Sequence, residues 1–233
     1  MELQIQIRMN PALFIRDPEQ TELGRNIIRQ SIRMIDELGF EDFTFKKLAA
    51  EMGTTEASIY RYFENKHRLL TYIVTWFWAW MEYQVIFYTN NQKDAKTKIN
   101  TIISLLTFRL QDEISFTHID KQQLFRITIA EGTKSYLTKH VTEDNKARLF
   151  KPYKDLCARI ADVFLEHSPS YPYPRSLSST LLEMAHWQYY FKENLPSLTD
   201  FAKDKTLDSL VDFLTHLVFS SLESRKLPGK AAK

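Results

Sequence analysis

The sequence predicts an all-α protein, on three observations. Five glycines and eight prolines in 233 residues leave little turn material for a many-stranded β fold. Long stretches without either residue carry apolar side chains at helical spacing. A content of 44% hydrophobic and 26% charged residues is enough to bury a substantial core in one or two domains. Cys157 stands alone, which excludes a disulfide framework and a Cys-based zinc site and suits a reducing compartment. The opening MELQIQIRMN has neither the basic flank nor the apolar centre of a signal peptide, so the expected location is the cytoplasm.

Residues 1–20 form an arm. Leu3, Ile5, Ile7 and Met9 alternate with Glu2, Gln4, Gln6 and Arg8 at the period of a strand. A lone strand has no partner in a helical domain, so the arm should pair with a symmetry mate, lie along the body or stay disordered. Arg8 and Arg16 would allow a nucleic-acid contact. From Thr21 the period becomes helical: Leu23, Ile27, Ile28, Ile32, Ile35 and Leu38 define a first helix with Thr21 as its N-cap and Gly39 at its C-terminal turn. Thr44 caps a short second helix with Phe45, Leu48, Ala49 and Met52 inward, stopped by Gly53. Thr54 or Thr55 caps a third, with Ile59 and Phe63 inward, and Asn65 caps a long fourth.

That fourth helix contains LLTYIVTWFWAWMEYQVIFY, residues 69–88, which has the length of a membrane span. It carries Glu82 and Gln84, however, and its tryptophans cluster in the middle. An acidic residue near the bilayer centre costs roughly 2.5 to 3.5 kcal/mol, and Trp belongs at the interfaces. A buried helix with no membrane partner is expected instead. Helical patterns continue over 95–112, 120–138, 143–166, 176–194 and 199–225. The HSPSYPYPRS segment breaks the series, because three prolines in six residues cannot remain helical. The end, residues 226–233, is a basic tail that confers solubility.

Two short helices joined through a glycine turn must cross steeply. Covered by the first and fourth helices, they bury Leu48, Ala49, Ile59 and Phe63. Helical spacing then lets Thr55, Glu56, Ser58 and Tyr62 project outward, with Tyr60 and Arg61 at the flanks. Hydroxyl, phenol and guanidinium groups suit phosphate oxygens and base edges. Lys46, Lys47, Lys66 and Arg68 can flank a duplex backbone. These are the parts of a helix-turn-helix DNA reader. Charge adds little: residues 1–70 hold ten Lys/Arg against eleven Asp/Glu, while residues 45–68 hold five basic against three acidic groups. The basic excess is local.

The run Gly39, Phe43-Thr44, Leu48-Ala49, Gly53, Ala57-Ser58-Ile59-Tyr60, Tyr62-Phe63, Asn65-Lys66 and Leu69-Leu70 resembles the N-terminal domain of TetR-family transcriptional regulators. The resemblance spans about fifty residues. It implies that positions matching Lys46, Glu56, Ala57, Ser58 and Tyr62 face bases, and that those matching Thr44, Thr55, Tyr60 and Lys66 hold the phosphate backbone. Many members have a second threonine where this chain has Phe45, which is therefore expected to pack inward. The resemblance also implies domains at 21–67, for DNA binding, and 68–225, for a small-molecule effector and a two-fold homodimer on a palindromic operator.

The remainder agrees in one respect on its own. Leu207, Leu210, Val211, Phe213, Leu214, Leu217, Val218, Phe219 and Leu222 make a set wider than one amphipathic stripe, so their helix needs cover on more than one side. With the 176–194 helix it could build an intersubunit four-helix bundle, with Leu181, Leu210, Leu214 and Leu217 in the seam. Dense aromatics, Trp80, Phe108, Phe125, Trp187 and Tyr190 among them, are candidates to line a site for a largely apolar or aromatic effector. His118, His140 and His186 are candidates to orient its polar group. A ligand that favours one spacing of two reading helices, set about 34 Å apart, would release a repressor from its operator.

Other function classes have less behind them. Glu64-x-x-His67 and Glu183-x-x-His186 have the spacing of a di-iron carboxylate bundle, but the first pair falls in the turn after the third helix and cannot face a bundle core. Neither a Gly-x-Ser-x-Gly elbow nor a phosphate-cradling glycine loop is present. No catalytic residue, metal site or cofactor is therefore expected. A helical interaction module that merely retains the three-helix unit is the other alternative, and it predicts no sequence-dependent DNA binding.

Overall fold

A computed structural model describes residues 7–109, 119–204 and 206–223. Leu3 and Ile5 of the alternating arm, His118 and the basic tail lie outside the described residues. The regular elements among those residues are helices: α1 (Glu22–Leu38), α2 (Phe45–Glu51), α3 (Glu56–Tyr60), α4 (Lys66–Thr89), α5 (Ala95–Leu106), α6 (Lys121–Glu131), α7 (Val141–Lys146), α8 (Lys151–His167), α9 (Pro174–Asn194) and α10 (Asp208–Glu223). The all-α expectation holds. By packing, the chain divides into two compact units: described residues up to Trp80 together with Ile119 to Tyr153, and Met81 to Arg109 together with Lys154 onward.

In the first unit, the hydroxyls read as caps do cap. Thr21 accepts from the Gly24 N–H, Thr44 from Lys47, Thr55 from Ser58, and Asn65 Oδ1 from Arg68. Each satisfies one of the N–H groups that a helix start leaves without a partner. α1 buries Ile27, Ile28, Ile32 and Ile35, which meet Phe43, Phe45, Leu48, Ile59 and Phe63 in one small core. α1 also packs on α6, where Asp36 takes the Arg126 guanidinium at 2.9 Å and the Glu131 carboxylate accepts from the Phe40 N–H at 3.0 Å.

From residue 7 onward the arm lies along the body of the first unit. Asn10 and Asp17 cap two single 3₁₀ turns, Pro11–Leu13 and Pro18–Gln20, while most of the alternating stretch lies outside the described residues. Prolines at the head of each turn remove the donors that a ladder would need. Leu13 is fully buried, the Ile15 N–H donates to the Tyr62 carbonyl at 2.8 Å, and Phe14 meets Tyr72 edge-on at 6.2 Å. The second turn crosses α1 so closely that a Cβ at Gly24 would stand 2.3 Å from the Pro18 carbonyl oxygen. Only glycine fits there.

Three sequence-read helices are shorter or broken. The 120–138 pattern ends at Glu131 and tightens into a 3₁₀ turn, Gly132–Ser135. The 143–166 pattern splits into α7 and α8 around Arg148, which sits at φ 60°. The last pattern starts late, at Asp208, because Asp204 accepts from the Thr206 and Ser209 N–H groups at 2.9 and 2.8 Å and bends the chain first. Those two donors also hold its carboxyl below the usual carboxylate range.

The regular elements among the described residues of the second unit are helices. Ile99, Ile102 and Ile103 of α5, Leu156, Ile160 and Phe164 of α8, Leu177, Leu181 and Leu182 of α9, and Leu210, Leu214 and Val218 of α10 form its core. Backbone-directed hydroxyls tie it at the edges: Ser178 donates to the Cys157 carbonyl at 2.8 Å and Ser168 to that of Leu222 at 3.1 Å. α4 is the apolar helix that the sequence suggested, and among the described residues no helix is long and apolar enough to cross a membrane.

Candidate nucleic-acid interface

α2 ends at a left-handed Gly53, φ +60°, a conformation that a Cβ disfavours. The Thr54 N–H folds back to the Ala49 carbonyl at 2.9 Å, and α3 starts two residues later under Thr55. With only five residues, α3 anchors itself through Ile59, which is fully buried. The opposite side is open. Thr55, Glu56, Ala57 and Arg61 are exposed, Ser58 is half-buried, and Tyr60 is 47% exposed. The Thr55 and Ser58 hydroxyls pair at 3.0 Å. Tyr60 rests one edge on Phe45, centroids 5.0 Å apart, and Phe45 is itself buried, as its departure from the family pattern suggested. On α2, Thr44 and Lys46 are exposed beside this face.

Two expected members are not on it. Tyr62 was expected to project outward with Ser58; it is 2% exposed, and its phenol pairs with the Thr21 hydroxyl at 2.8 Å. α3 ends at Tyr60, and the N–H groups of both Tyr62 and Phe63 return to the Ile59 carbonyl. Beyond that point the 100° rotation per residue no longer applies, so helical spacing assigns Tyr62 to the wrong side. Lys66 is half-buried, and its ammonium donates to the carbonyls of Phe40, Glu41 and Phe43 at 2.9, 3.0 and 3.1 Å. All three of its donors hold the α1–α2 connection, so it is not a free cation. Arg68, placed at the duplex flank in the sequence, is likewise committed, to the buried Asp144 at 2.8 Å.

That pair has a neighbour. His67 is half-buried, its Nε2 lacks a partner, and burial pushes its pKa down against the pull of Asp144. Glu64 is exposed, whereas His67 is half-buried. Among the described residues, no group of three or more His, Cys, Asp or Glu is gathered to hold a metal.

Residues 27–73 match the model of the bacterial regulatory proteins of the tetR family. Over these residues the chain is similar to the N-terminal DNA-binding domain of that family. The match begins within α1 and runs through the turn, α3 and the start of α4, the segment whose geometry is described above. An uncharacterized HTH-type transcriptional regulator, YvaF of Bacillus subtilis, is 27% identical over 106 residues, which are 42% of this chain and 55% of that protein. The matched part thus spans about half of that relative. Two solved structures share the fold over most of the chain. The fatty acid degradation regulator FadR from Bacillus halodurans is 18% identical with a TM-score of 0.61, covering 86% of this chain and 96% of its own. AibR, solved in complex with isovaleryl coenzyme A and operator DNA, is 18% identical with a TM-score of 0.59, covering 84% and 98%.

The other sequence-read sites fare differently. Of the expected ligand residues, Trp80 and Phe125 are buried in the first unit, each within about a ring contact of Phe77 at 5.9 and 6.2 Å. Phe108, Trp187 and Tyr190 belong to the second unit, where Phe108 holds φ 56°, Tyr190 is half-buried and Trp187 is 40% exposed. The structure does not gather the five in one unit. Of the expected dimer residues, Leu181, Leu210 and Leu214 are fully buried within the single chain. A side chain already covered by its own protomer has no area left for a partner, so these three are core. Leu217 remains half-exposed.

Proposed function

We propose that this chain is a DNA-binding transcriptional regulator of the cytoplasm, a homodimeric repressor that leaves a palindromic operator when a small, largely apolar or aromatic molecule binds. The observation that carries the reading is the division of α3, with Ile59 wholly inside and Thr55, Ser58, Tyr60 and Arg61 on a polar face. Thr44 and Lys46 of α2 extend that face. In this reading Lys46, Glu56, Ala57 and Ser58 meet base edges, while Thr44, Thr55 and Tyr60 hold phosphates. The fold shared with a regulator solved with both an acyl coenzyme A and operator DNA supports an effector with an apolar acyl or aromatic part.

The dimer seam moves outward from the leucines first considered. Met184, Trp187 and Phe191 recur at helical spacing on α9, with Trp187 and Phe191 rings 5.8 Å apart, and Phe213 and Leu217 do so on α10. All five are half-buried or exposed, and a two-fold contact would cover them. The purified chain should select a two-fold palindrome from random duplexes. Recovery of duplexes with no common sequence would reject the reading.

A further inference from the structure

We infer that Arg16, on the N-terminal arm, is a phosphate-binding residue of the same DNA surface and takes the place that Lys66 leaves vacant. The inference rests on the proposed DNA reading. The cations of the first unit divide sharply by what they touch. Arg25 donates to the Glu19 carbonyl and Arg29 to Asn26. Arg33 pairs with Glu37 and Glu51, Arg68 with Asp144, and Arg126 with Asp36. Lys66 is spent on three carbonyls. Arg16 is exposed and, among the described residues, meets an aromatic face: its guanidinium lies 5.6 Å from the centroid of the Tyr62 ring.

That contact is what a phosphate ligand needs. Stacking orients the guanidinium plane and lowers the entropy lost on binding, yet consumes none of its five N–H donors. The adjacent carboxylate does not compete, because Asp17 accepts from the Glu19 N–H at 3.0 Å and from the Gln20 amide at 3.2 Å. The backbone beside Arg16 is fixed to the end of the reading helix by the Ile15 N–H to Tyr62 carbonyl bond of 2.8 Å. Arg16 and the exposed Arg61 therefore leave neighbouring stretches of backbone, just past the C-terminal end of α3. The hydroxyls of Thr44 and Thr55 belong to the N-terminal ends of α2 and α3. Arg16 supplies the C-terminal end with a cation, and this explains why Tyr62 is buried there: its ring is the platform.

The test uses the full-length chain on the palindrome that wild type selects. Against the logarithm of salt concentration, the affinity of R16A should fall less steeply than that of wild type, by roughly 0.9 per phosphate, or about 1.8 for a dimer. Near physiological salt its affinity should be about ten-fold lower, and equally so across variant operators. R16K should keep the slope, and the thermal midpoint of R16A should stay close to wild type because the side chain is exposed. An R16A slope equal to wild type, with or without weaker binding, would overturn the inference and leave Arg16 as ring packing only. Failure of wild type to select any sequence would overturn the DNA reading, and Arg16 with it.

Discussion

The α2–α3 region and the α9–α10 region both contain fully buried aliphatics next to exposed positions, but the two arrangements were built under different constraints. In α3, five residues supply one anchor, Ile59, and one open polar side. In α10, sixteen residues carry an apolar arc in which Leu210, Leu214 and Val218 are fully buried while Phe213, Leu217 and Phe219 are only half so. A polar side chain on a short capped helix has little choice but to face outward. An apolar side chain on a long, broadly apolar helix can serve its own core or a partner's, and the residue type is the same in both cases. The first region is therefore legible residue by residue, the second only as a surface.

The sharpest way to break this contrast is to compare two leucines one turn apart. L214A should destabilise the fold by about 2 to 5 kcal/mol, the usual cost of a cavity in a packed core. L217A should cost well under that and should instead raise the monomer fraction at a given concentration. Chemical denaturation and sedimentation read the two effects. Equal destabilisation by both, with no change in association, would mean that α10 has no separate outer edge.

The second unit also has a buried histidine. His186 on α9 is buried, and desolvation lowers its pKa from 6.5 to about 4. The unfolded chain binds its proton more readily, so stability is full above about pH 6.5 and is lost as pH falls toward 4. The loss should be on the order of 3 kcal/mol across that window. H186Q should flatten this limb of a pH–stability curve, and an unchanged limb would place the titration elsewhere.

In the first unit, neighbouring tyrosines make the comparison at finer scale. Y62F removes the hydrogen bond to Thr21 and should cost about 1 kcal/mol of stability while leaving operator affinity within two-fold. T55A, which removes the cap of α3, should cost a similar ~1 kcal/mol. Thermal melts beside operator titrations separate these, and a Y62F variant that folds normally but loses the operator would restore Tyr62 to the outer face.

What the sequence could and could not say follows from the same contrast. Thr21, Thr44 and Asn65 were readable as caps, and the third cap as Thr54 or Thr55, because capping is a local act between residues three apart. Ile59 and Phe45 were readable because a small core leaves few inward positions. Tyr62 was misplaced because no sequence rule marks where a five-residue helix stops, and two residues beyond the end are enough to reverse a side chain. Lys66 and Arg68 were misplaced because their partners, the carbonyls after α1 and Asp144 on α7, are 23 or more residues away. Pro11 and Pro18 were readable as the heads of the two 3₁₀ turns in the described part of the arm. Leu181, Leu210 and Leu214 could not be sorted from Leu217 without knowing which sides α5 and α9 already cover.

The most direct test is a titration of wild type and the double variant S58A/Y60A against the palindrome that wild type selects. Neither side chain is buried, so both proteins should unfold at the same temperature, and the variant should bind at least a hundred-fold more weakly. Binding within two-fold of wild type by an equally stable variant would mean that the open side of α3 is not where the duplex is met.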